Sequence, residues 1–246
     1  MRRVVIFGAT SSIAAHAAEL HARRGDTLCL VGRNPEKLAA VASRCAGAQV
    51  HTIAADFADL SALAPLVDRV IATLGGLDSV LIAHGDLGDQ LETERSFAAA
   101  ERVLTANFTS VVGLLIPLAN HLEAARAGRI GVITSVAAER GRPRNFTYGA
   151  AKGALNVYLQ GLRSRLWPAG VSVTTIKLGP VDTPMTRDHK KNVLFGKADV
   201  VAADIVAAMD ARKTEVFVPS VWALIMPLVK RTPEAMFQQL AFLSGR

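Results

Sequence analysis

The sequence predicts an α/β fold: a doubly wound parallel sheet of about seven strands in a three-layer α/β/α arrangement. Three observations predict it. Short β-branched runs alternate with longer Ala- and Leu-rich stretches along the chain. The short runs are apolar at nearly every residue rather than at every second one, the pattern of strands buried on both faces. Half of the 246 residues are hydrophobic but only 5% are aromatic, so the core must be built from aliphatic and small side chains, as where helices layer onto a parallel sheet.

The elements follow in order. RVVIFG (3–8), TLCLVG (27–32), QVHTIAAD (49–56), SVLIAHG (79–85), RIGVITS (129–135), VSVTTIKLG (171–179) and TEVFVP (214–219) read as strands. Helical candidates lie between them at 12–24, 35–46, 59–74, 94–126, 149–167 and 200–211. Right-handed crossovers through these helices wind the sheet in both directions from its middle. No linker, low-complexity segment or repeat interrupts the series, so residues 1–246 read as one domain. Within it, 184–200 is a substrate loop and 219–246 an apolar C-terminal tail.

Net charge is +7, a field that attracts anions such as phosphates and acidic lipid surfaces. The cations are scattered in pairs such as Arg23-Arg24 and Lys190-Lys191, with no long basic run interleaved with aromatics. A nucleic-acid platform is therefore not expected. Cys29 and Cys45 are the only cysteines; neither metal-ligand spacing nor a disulfide framework results. Cys29 reads as a small buried hydrophobe. No signal peptide precedes the first strand and no run of about 20 apolar residues is long enough to span a bilayer, so a cytoplasmic location is the expectation.

In a doubly wound sheet ligands bind where strands end and helices begin. The first strand ends in GATSSIA (8–14). Gly8 permits a tight turn, and the small residues Thr10, Ser11 and Ser12 before Ile13 let backbone N–H groups approach a pyrophosphate. Ser12 and Ala14 stand where such turns commonly carry glycine. An ordinary turn with Thr10 or Ser11 as N-cap would read the same way. The second strand ends in Gly32 and Arg33, where a site preferring NAD usually has a carboxylate for the ribose diol. A guanidinium there suits a 2′-phosphate and favours NADP(H), with NAD(H) as the alternative. Asp56-Phe57 after the third strand either holds the adenine edge or caps the next helix.

Tyr148 and Lys152, at i and i+4 of a helix, share one face. Ser135 ends the fifth strand, Asn107 lies in the long helix within LTANFTSVVG, and LGPVDTPMT (178–186) follows the sixth strand. The ordered set Asn107, Ser135, Tyr148 and Lys152 resembles the short-chain dehydrogenase/reductase family, of the single-domain type of about 250 residues. The resemblance covers roughly residues 3–219. It implies a Rossmann-like sheet, a nicotinamide cofactor, and hydride transfer between a ketone or aldehyde and an alcohol. Tyr148 is the implied acid/base, its phenolate favoured by the Lys152 ammonium and the nicotinamide charge. Ser135 hydrogen-bonds the substrate oxygen, Lys152 binds the nicotinamide ribose, and Asn107 sits at a helix distortion and ties Lys152 to water. Ala83, Gly85, Pro180, Val181 and Thr183 complete the implied cofactor contacts. A homodimer or homotetramer is implied as well.

Two stretches depart from the family pattern. The fourth strand ends in IAHG (82–85), with Ile82 and His84 in place of the usual amides; His84 either faces substrate or substitutes structurally beside the cofactor ribose. Gly179-Pro180 stands where Pro-Gly is typical. The segment 184–200 carries Arg187, His189, Lys190, Lys191 and Lys197, suiting an acidic or phosphorylated substrate or simply a solvated lid. The tail groups Trp222, Leu224, Ile225, Met226, Leu228 and Val229 before Lys230-Arg231. It packs on the pocket or a partner subunit, or lies on a membrane surface as an apolar stretch with an interfacial Trp. The GATSSIA turn and the tail together look like the branch of that family that reduces keto-sugars carried on polyprenyl phosphates, which the resemblance then implies. A non-catalytic NADP(H) sensor is the reading from another class, but a sensor has no need of both Tyr148 and Lys152.

Overall fold

The computed structural model describes residues 1–186 and 194–240. Seven strands form one parallel sheet: β1 (Arg3–Phe7), β2 (Thr27–Gly32), β3 (Val50–Ala54), β4 (Ser79–Ile82), β5 (Arg129–Ser135), β6 (Ser172–Leu178) and, after a short pair, β9 (Glu215–Val218). Their order is β3-β2-β1-β4-β5-β6-β9. The direction of winding reverses between β1 and β4, where Phe7 pairs with Val31 on one side and Ile82 on the other. The pair is β7 (Val181–Asp182) and β8 (Gly196–Lys197), parallel and two residues long each.

Alternation along the strands fills both faces, as the continuous apolar runs require. Val5 and Phe7 of β1 join one core with Val31, Val80, Ile82, Ile130 and Val132. Helices α3 (Leu63–Leu74), α6 (Ser110–Ala125) and α7 (Phe146–Leu166) cover that face. Val4 and Ile6 join the opposite core with Leu28, Leu30, Leu81 and Ile176. There α1 (Ser12–Arg23), α2 (Pro35–Ser43) and α8 (Ala198–Asp210) lie. The fold class is as the sequence predicted.

Several boundaries differ, each for a local reason. The third helix starts at Leu63 because a 3-10 turn over Leu60–Ala62 precedes it, and Asp59 accepts from Ser61 and Ala62 N–H to cap that turn. Asp56 instead accepts from Ala58 N at 3.0 Å, so the helix-capping alternative for Asp56 is replaced by Asp59. The helix read over 94–126 is α5 (Phe97–Leu104), a π-helical segment Thr105–Thr109, and α6 in continuous succession, with a short α4 (Gln90–Thr93) ahead of it. By length and composition the stretch Phe97–Ala125 is long and apolar enough to cross a bilayer, a feature that counting unbroken apolar runs overlooks. Its residues Val111, Leu114, Leu115, Leu118, Ala119 and Leu122 are spent on the sheet, the behaviour of a core helix. α7 begins at Phe146, three residues before its predicted start.

The tail also folds. α9 (Trp222–Arg231) and α10 (Glu234–Gln239) pack Trp222, Met226, Val229 and Phe237 around Val136. Trp222 is buried, which removes it as an interfacial anchor; Leu224 and Leu228 are exposed at 75% and 72%. An ionic cluster fastens the tail to the short 3-10 segment Val136–Glu139 that follows β5. Lys177 Nζ lies 2.6 Å from Glu139 and 2.8 Å from Glu215, and Lys230 Nζ lies 2.8 Å from Glu139. Arg140 donates to the carbonyls of Val229 and Thr232, pairs with Glu234, and covers the Phe237 ring.

Burial alone would raise the Glu139 carboxyl, but hydrogen bonds from Lys177 and Lys230 outweigh it and hold the pKa below 4.5. Its stabilisation is therefore present above the unfolded value and is lost as pH falls through the lowered one. Removing the charge leaves Lys177, whose side chain is 7% exposed, with the more exposed Glu215 as its remaining carboxylate, and takes the carboxylate partner from Lys230. Glu139→Gln is expected to cost roughly 3 kcal/mol in urea unfolding at neutral pH; an unchanged midpoint would show that the cluster is not a clamp.

Candidate active site

The carboxyl ends of the strands gather the predicted residues along one edge of the sheet. At the switch point Gly8 N donates to Val31 O at 2.9 Å and Ala83 N to Phe7 O at 2.8 Å. Gly8 has φ +78°, and a Cβ there would stand 2.6 Å from His84 N. Both facts require glycine. Ser11 caps α1 by accepting from Ala14 N at 3.3 Å, which makes Ser11 and not Thr10 the N-cap. No acidic residue occupies the first turn of α1, so its positive end faces the turn uncompensated. Ser12 is partly buried and Ile13 is buried in the core behind the turn. Thr10 leans toward the end of β2: a Cβ on Gly32 would touch its methyl at 3.4 Å. Arg33, next in sequence, is exposed.

Beyond β3 the two adjacent residues part company. Asp56 is exposed; Phe57 is 7% exposed and stacks on His84, with ring centroids 4.3 Å apart, while Phe7 meets its edge. The Phe57 ring belongs to the core, so what it can present to a nucleotide is backbone.

Ser135, Tyr148 and Lys152 converge because α7 runs close over the segment that leaves β5. A Cβ on Gly149 would stand 2.8 Å from Ala137 O. Glycine at that point lets the helix settle with the Tyr148 phenol within reach of the Ser135 hydroxyl. Ser135 Oγ also accepts from Ala137 N at 3.1 Å. One turn along, Lys152 is 2% exposed, donates to Ile133 O at 3.1 Å, and has its Nζ 5.9 Å from the Tyr148 ring centroid.

Asn107 lies in the π-helical segment, fully buried. The extra residue in that turn frees the Val103 carbonyl, which accepts from Asn107 Nδ2 at 2.8 Å. The same amide donates to Asp86 O at 2.6 Å, and its Oδ1 accepts from Asp86 N at 3.1 Å. It thus staples the chain leaving β4 to the helix. Gly85 sits between the staple and the amine: a Cβ there would stand 2.7 Å from Asn107 Oδ1 and 3.2 Å from Lys152 Nζ.

Burial governs the electrostatics of the Tyr148 and Lys152 pair. Burial pushes the Tyr148 phenol up to about 12 against the hydrogen bond from Ser135. Burial also brings the Lys152 amine down to about 8. Both shifts have one cause, since low-dielectric surroundings penalise the charged form of each group. His84 is driven to about 3 by burial and by the nearby charges of Lys152 and Arg33. Ser110 donates its proton to Ala106 O at 3.2 Å, so the contact of 3.0 Å between His84 Nε2 and Ser110 has His84 as donor. His84 Nδ1 is left buried without a partner.

After β6, Pro180 O accepts from Gly196 N at 3.0 Å and Val181 is buried beside α8. Thr183 is partly buried, and its N–H reaches Thr186 Oγ1 at 3.3 Å. Trp222 closes the back of this loop; a Cβ on Gly179 would meet its ring at 2.1 Å. Of the basic loop residues, Arg187, His189, Lys190 and Lys191 lie outside the described residues, and Lys197 precedes α8. Sequence reasoning missed the Phe57–His84–Ser110 stack and the Glu139–Lys177 cluster. Neither has a spacing signature, since each joins elements distant in the chain. The donor set suits a dinucleotide: a glycine-only close approach, a helix N-terminus with no acidic residue in its first turn, an exposed Arg33 and a buried amine stand at successive strand ends.

Residues 2–194 match the family model described as short chain dehydrogenase. An uncharacterized oxidoreductase of Mycobacterium tuberculosis is 37% identical over 224 residues, covering 90% of this chain and 89% of its own. Another, of Streptomyces coelicolor, is 30% identical over 242 residues, covering 97% and 96%. Among solved structures, levodione reductase superposes with a TM-score of 0.79 at 23% identity, covering 88% of this chain and 94% of its own. A short-chain type dehydrogenase/reductase from Mycobacterium ulcerans gives 0.78 at 21%, covering 94% and 96%.

A lysine whose folded pKa lies below its unfolded value weakens the fold wherever it must be charged. The penalty is complete below about pH 8 and fades between there and 10.5. Lys152→Met is accordingly expected to raise stability by roughly 1–3 kcal/mol at pH 7, with the gain shrinking above pH 8. A pH series of thermal melts reads this directly; a variant less stable than the parent throughout would refute it.

Proposed function

The chain belongs to the short-chain dehydrogenase/reductase family, whose model matches residues 2–194, and from that membership as an oxidoreductase we propose an NADP(H)-dependent carbonyl reductase with Tyr148 as its acid. The observation that carries the reading is the contact of the Tyr148 and Ser135 hydroxyls beside the buried Lys152 amine. A phenol pushed up to about 12 holds its proton at neutral pH, which suits donation to a carbonyl oxygen during reduction. Ser135 is placed to hydrogen-bond the same oxygen as charge builds on it. Lys152, kept near 8 by burial, carries the positive charge that favours the phenolate left behind. Asn107 acts by holding the chain after β4 against the helix, a positioning role.

The residues that would hold the nucleotide are Gly8, Thr10, Ser11, Ser12 and Ile13 at the pyrophosphate, and Arg33 at the 2′-phosphate. Asp56 and Phe57 would border the adenine, and Ala83, Gly85, Lys152, Pro180, Val181 and Thr183 the nicotinamide half. Hydride is the chemistry the bound cofactor supplies. Exposed Phe97, Ile116 and Val157 on α5, α6 and α7 support assembly as a homodimer or homotetramer, working in the cytoplasm.

A second reading has one observation in its favour. Leu224 and Leu228, one turn apart on α9, are exposed beside Arg231. That suits a membrane-surface reductase of a lipid-linked keto-sugar. Sedimentation with anionic vesicles that is lost in Leu224→Ser/Leu228→Ser, with the fold intact, is its expected outcome; no sedimentation of the parent removes it.

Kinetics and binding test the main reading together. Tyr148→Phe is expected to lower kcat on a panel of ketones by about 10²–10⁴-fold while NADPH still binds with enhanced or quenched fluorescence. Turnover that survives the change ends the Tyr148 assignment. Arg33→Ala is expected to weaken NADPH by roughly tenfold or more and NADH little; equal effects on both would assign Arg33 no part in the 2′-phosphate.

A further inference from the structure

His84 touches three segments of the nucleotide site that lie far apart in the chain. Its backbone lies against the first turn: a Cβ on Gly8 would stand 2.6 Å from His84 N, 2.8 Å from its Cα and 2.9 Å from its Cβ. Its ring stacks on Phe57, with centroids 4.3 Å apart and planes inclined by 29°. Its Nε2 lies 3.0 Å from Ser110 Oγ. Ser110 opens α6 and is fully buried. One residue thus joins the turn assigned to the pyrophosphate, the segment assigned to the adenine, and the helical run that carries Asn107.

These contacts divide between two tasks. The stack fixes Phe57 from one side while Phe7 meets its edge at 6.2 Å, and so sets where the Asp56-Phe57 backbone stands. The Ser110 bond works on the chain that leaves β4. That chain is pinned on both sides of Gly85: His84 to Ser110 before it, and Asp86 to Asn107 after it, by bonds of 3.1 and 2.6 Å. Gly85 is the residue that meets the amine, since a Cβ there would stand 3.2 Å from Lys152 Nζ. Stability alone does not call for an imidazole at this place. Its Nδ1 is buried without a partner, which costs the fold, and a phenylalanine would stack on Phe57 without that cost. What the imidazole adds over a phenyl ring is the bond to Ser110.

We propose that His84 is a positioning residue that holds the two halves of the nucleotide site in register, the adenine half through its stack on Phe57 and the nicotinamide half through its bond to Ser110. This role rests on the nucleotide-binding reading and adds to it a residue outside the cofactor contacts, with one ring face and one ring nitrogen serving different halves.

Two probes read the halves separately. Titration calorimetry with adenosine 2′,5′-bisphosphate reports the adenine half, and the fluorescence change of saturating NADPH reports the surroundings of the nicotinamide. Adenosine 5′-diphosphate and NADH replace them if the parent binds NADH more tightly. His84→Ala is expected to weaken the bisphosphate by roughly fivefold or more, the scale of a lost aromatic pair. His84→Phe restores the stack and is expected to bring the bisphosphate back to within about twofold of the parent. It still lacks the Ser110 bond, so bound NADPH is expected to lose about half or more of its fluorescence change, and Ser110→Ala to do the same. Melts without nucleotide establish that each variant is folded; His84→Leu, which keeps bulk without a ring, replaces His84→Ala if that variant is not. A merely structural residue would move the melting temperature and leave both probes as in the parent, and that result overturns the proposal. So does a His84→Phe variant that weakens the bisphosphate as much as His84→Ala, or one that keeps the full NADPH signal. All three results leave the nucleotide-binding reading standing. A parent that binds neither NADPH nor NADH removes that reading, and the role of His84 with it.

Discussion

The seating of α7 on the segment that leaves β5 is the constraint on which the rest depends. Gly149 lets the helix come within a methyl's width of the Ala137 carbonyl, and that approach has two consequences at once. It brings the Tyr148 hydroxyl onto Ser135, and it draws the Lys152 amine below the strand ends to the carbonyl of Ile133. The phenol and the amine are both desolvated by the same packing, which raises one pKa and lowers the other. A protonated phenol and a readily titrated amine buried side by side cost the fold stability. Perturbed pKa values of this kind cluster at functional sites, which commonly trade stability in this way.

The short segment after Ser135 leaves the sheet as a single 3-10 turn and has a second support. The tail provides it. Glu139 is held by Lys177 from β6 and Lys230 from α9, and Arg140 reaches α9 and α10. Trp222 backs Gly179 at the end of β6. The apolar tail is thus packed on its inner face against the scaffold of the site, and among the described residues Leu224, Leu228 and Met236 are exposed on its outer side. On the other flank Asn107 uses a helix irregularity to hold the loop after β4, as π-helical turns at functional sites commonly do.

Much of this was legible in the chain itself. Near-continuous apolar strands announced a sheet buried on both faces, and seven such strands, all parallel, are what formed. Gly8, Ser135, Tyr148 and Lys152 were readable because strand ends and helical spacing place them with little help from the rest. Boundaries were less readable where side chains compete for backbone donors: Asp59 took the capping role that Asp56 was offered, and α7 extended back to Phe146. For the tail, packing on the pocket or a partner and lying on a membrane both stayed open, since a Trp beside cations reads alike on a membrane and in a core.

What the amino-acid order determined alone was therefore whatever depends on local period and residue type: the strand–helix alternation, the tight turn at Gly8, the shared face of Tyr148 and Lys152. Tertiary structure decided everything that depends on burial and on partners far apart in sequence. It sank the phenol and amine into low dielectric, neutralised His84 against Phe57, and paired Glu139 with lysines 38 and 91 positions away. The physical reason is that a charge's energy is set by how much water it loses and which counter-charge replaces it, and neither quantity exists until the chain has folded.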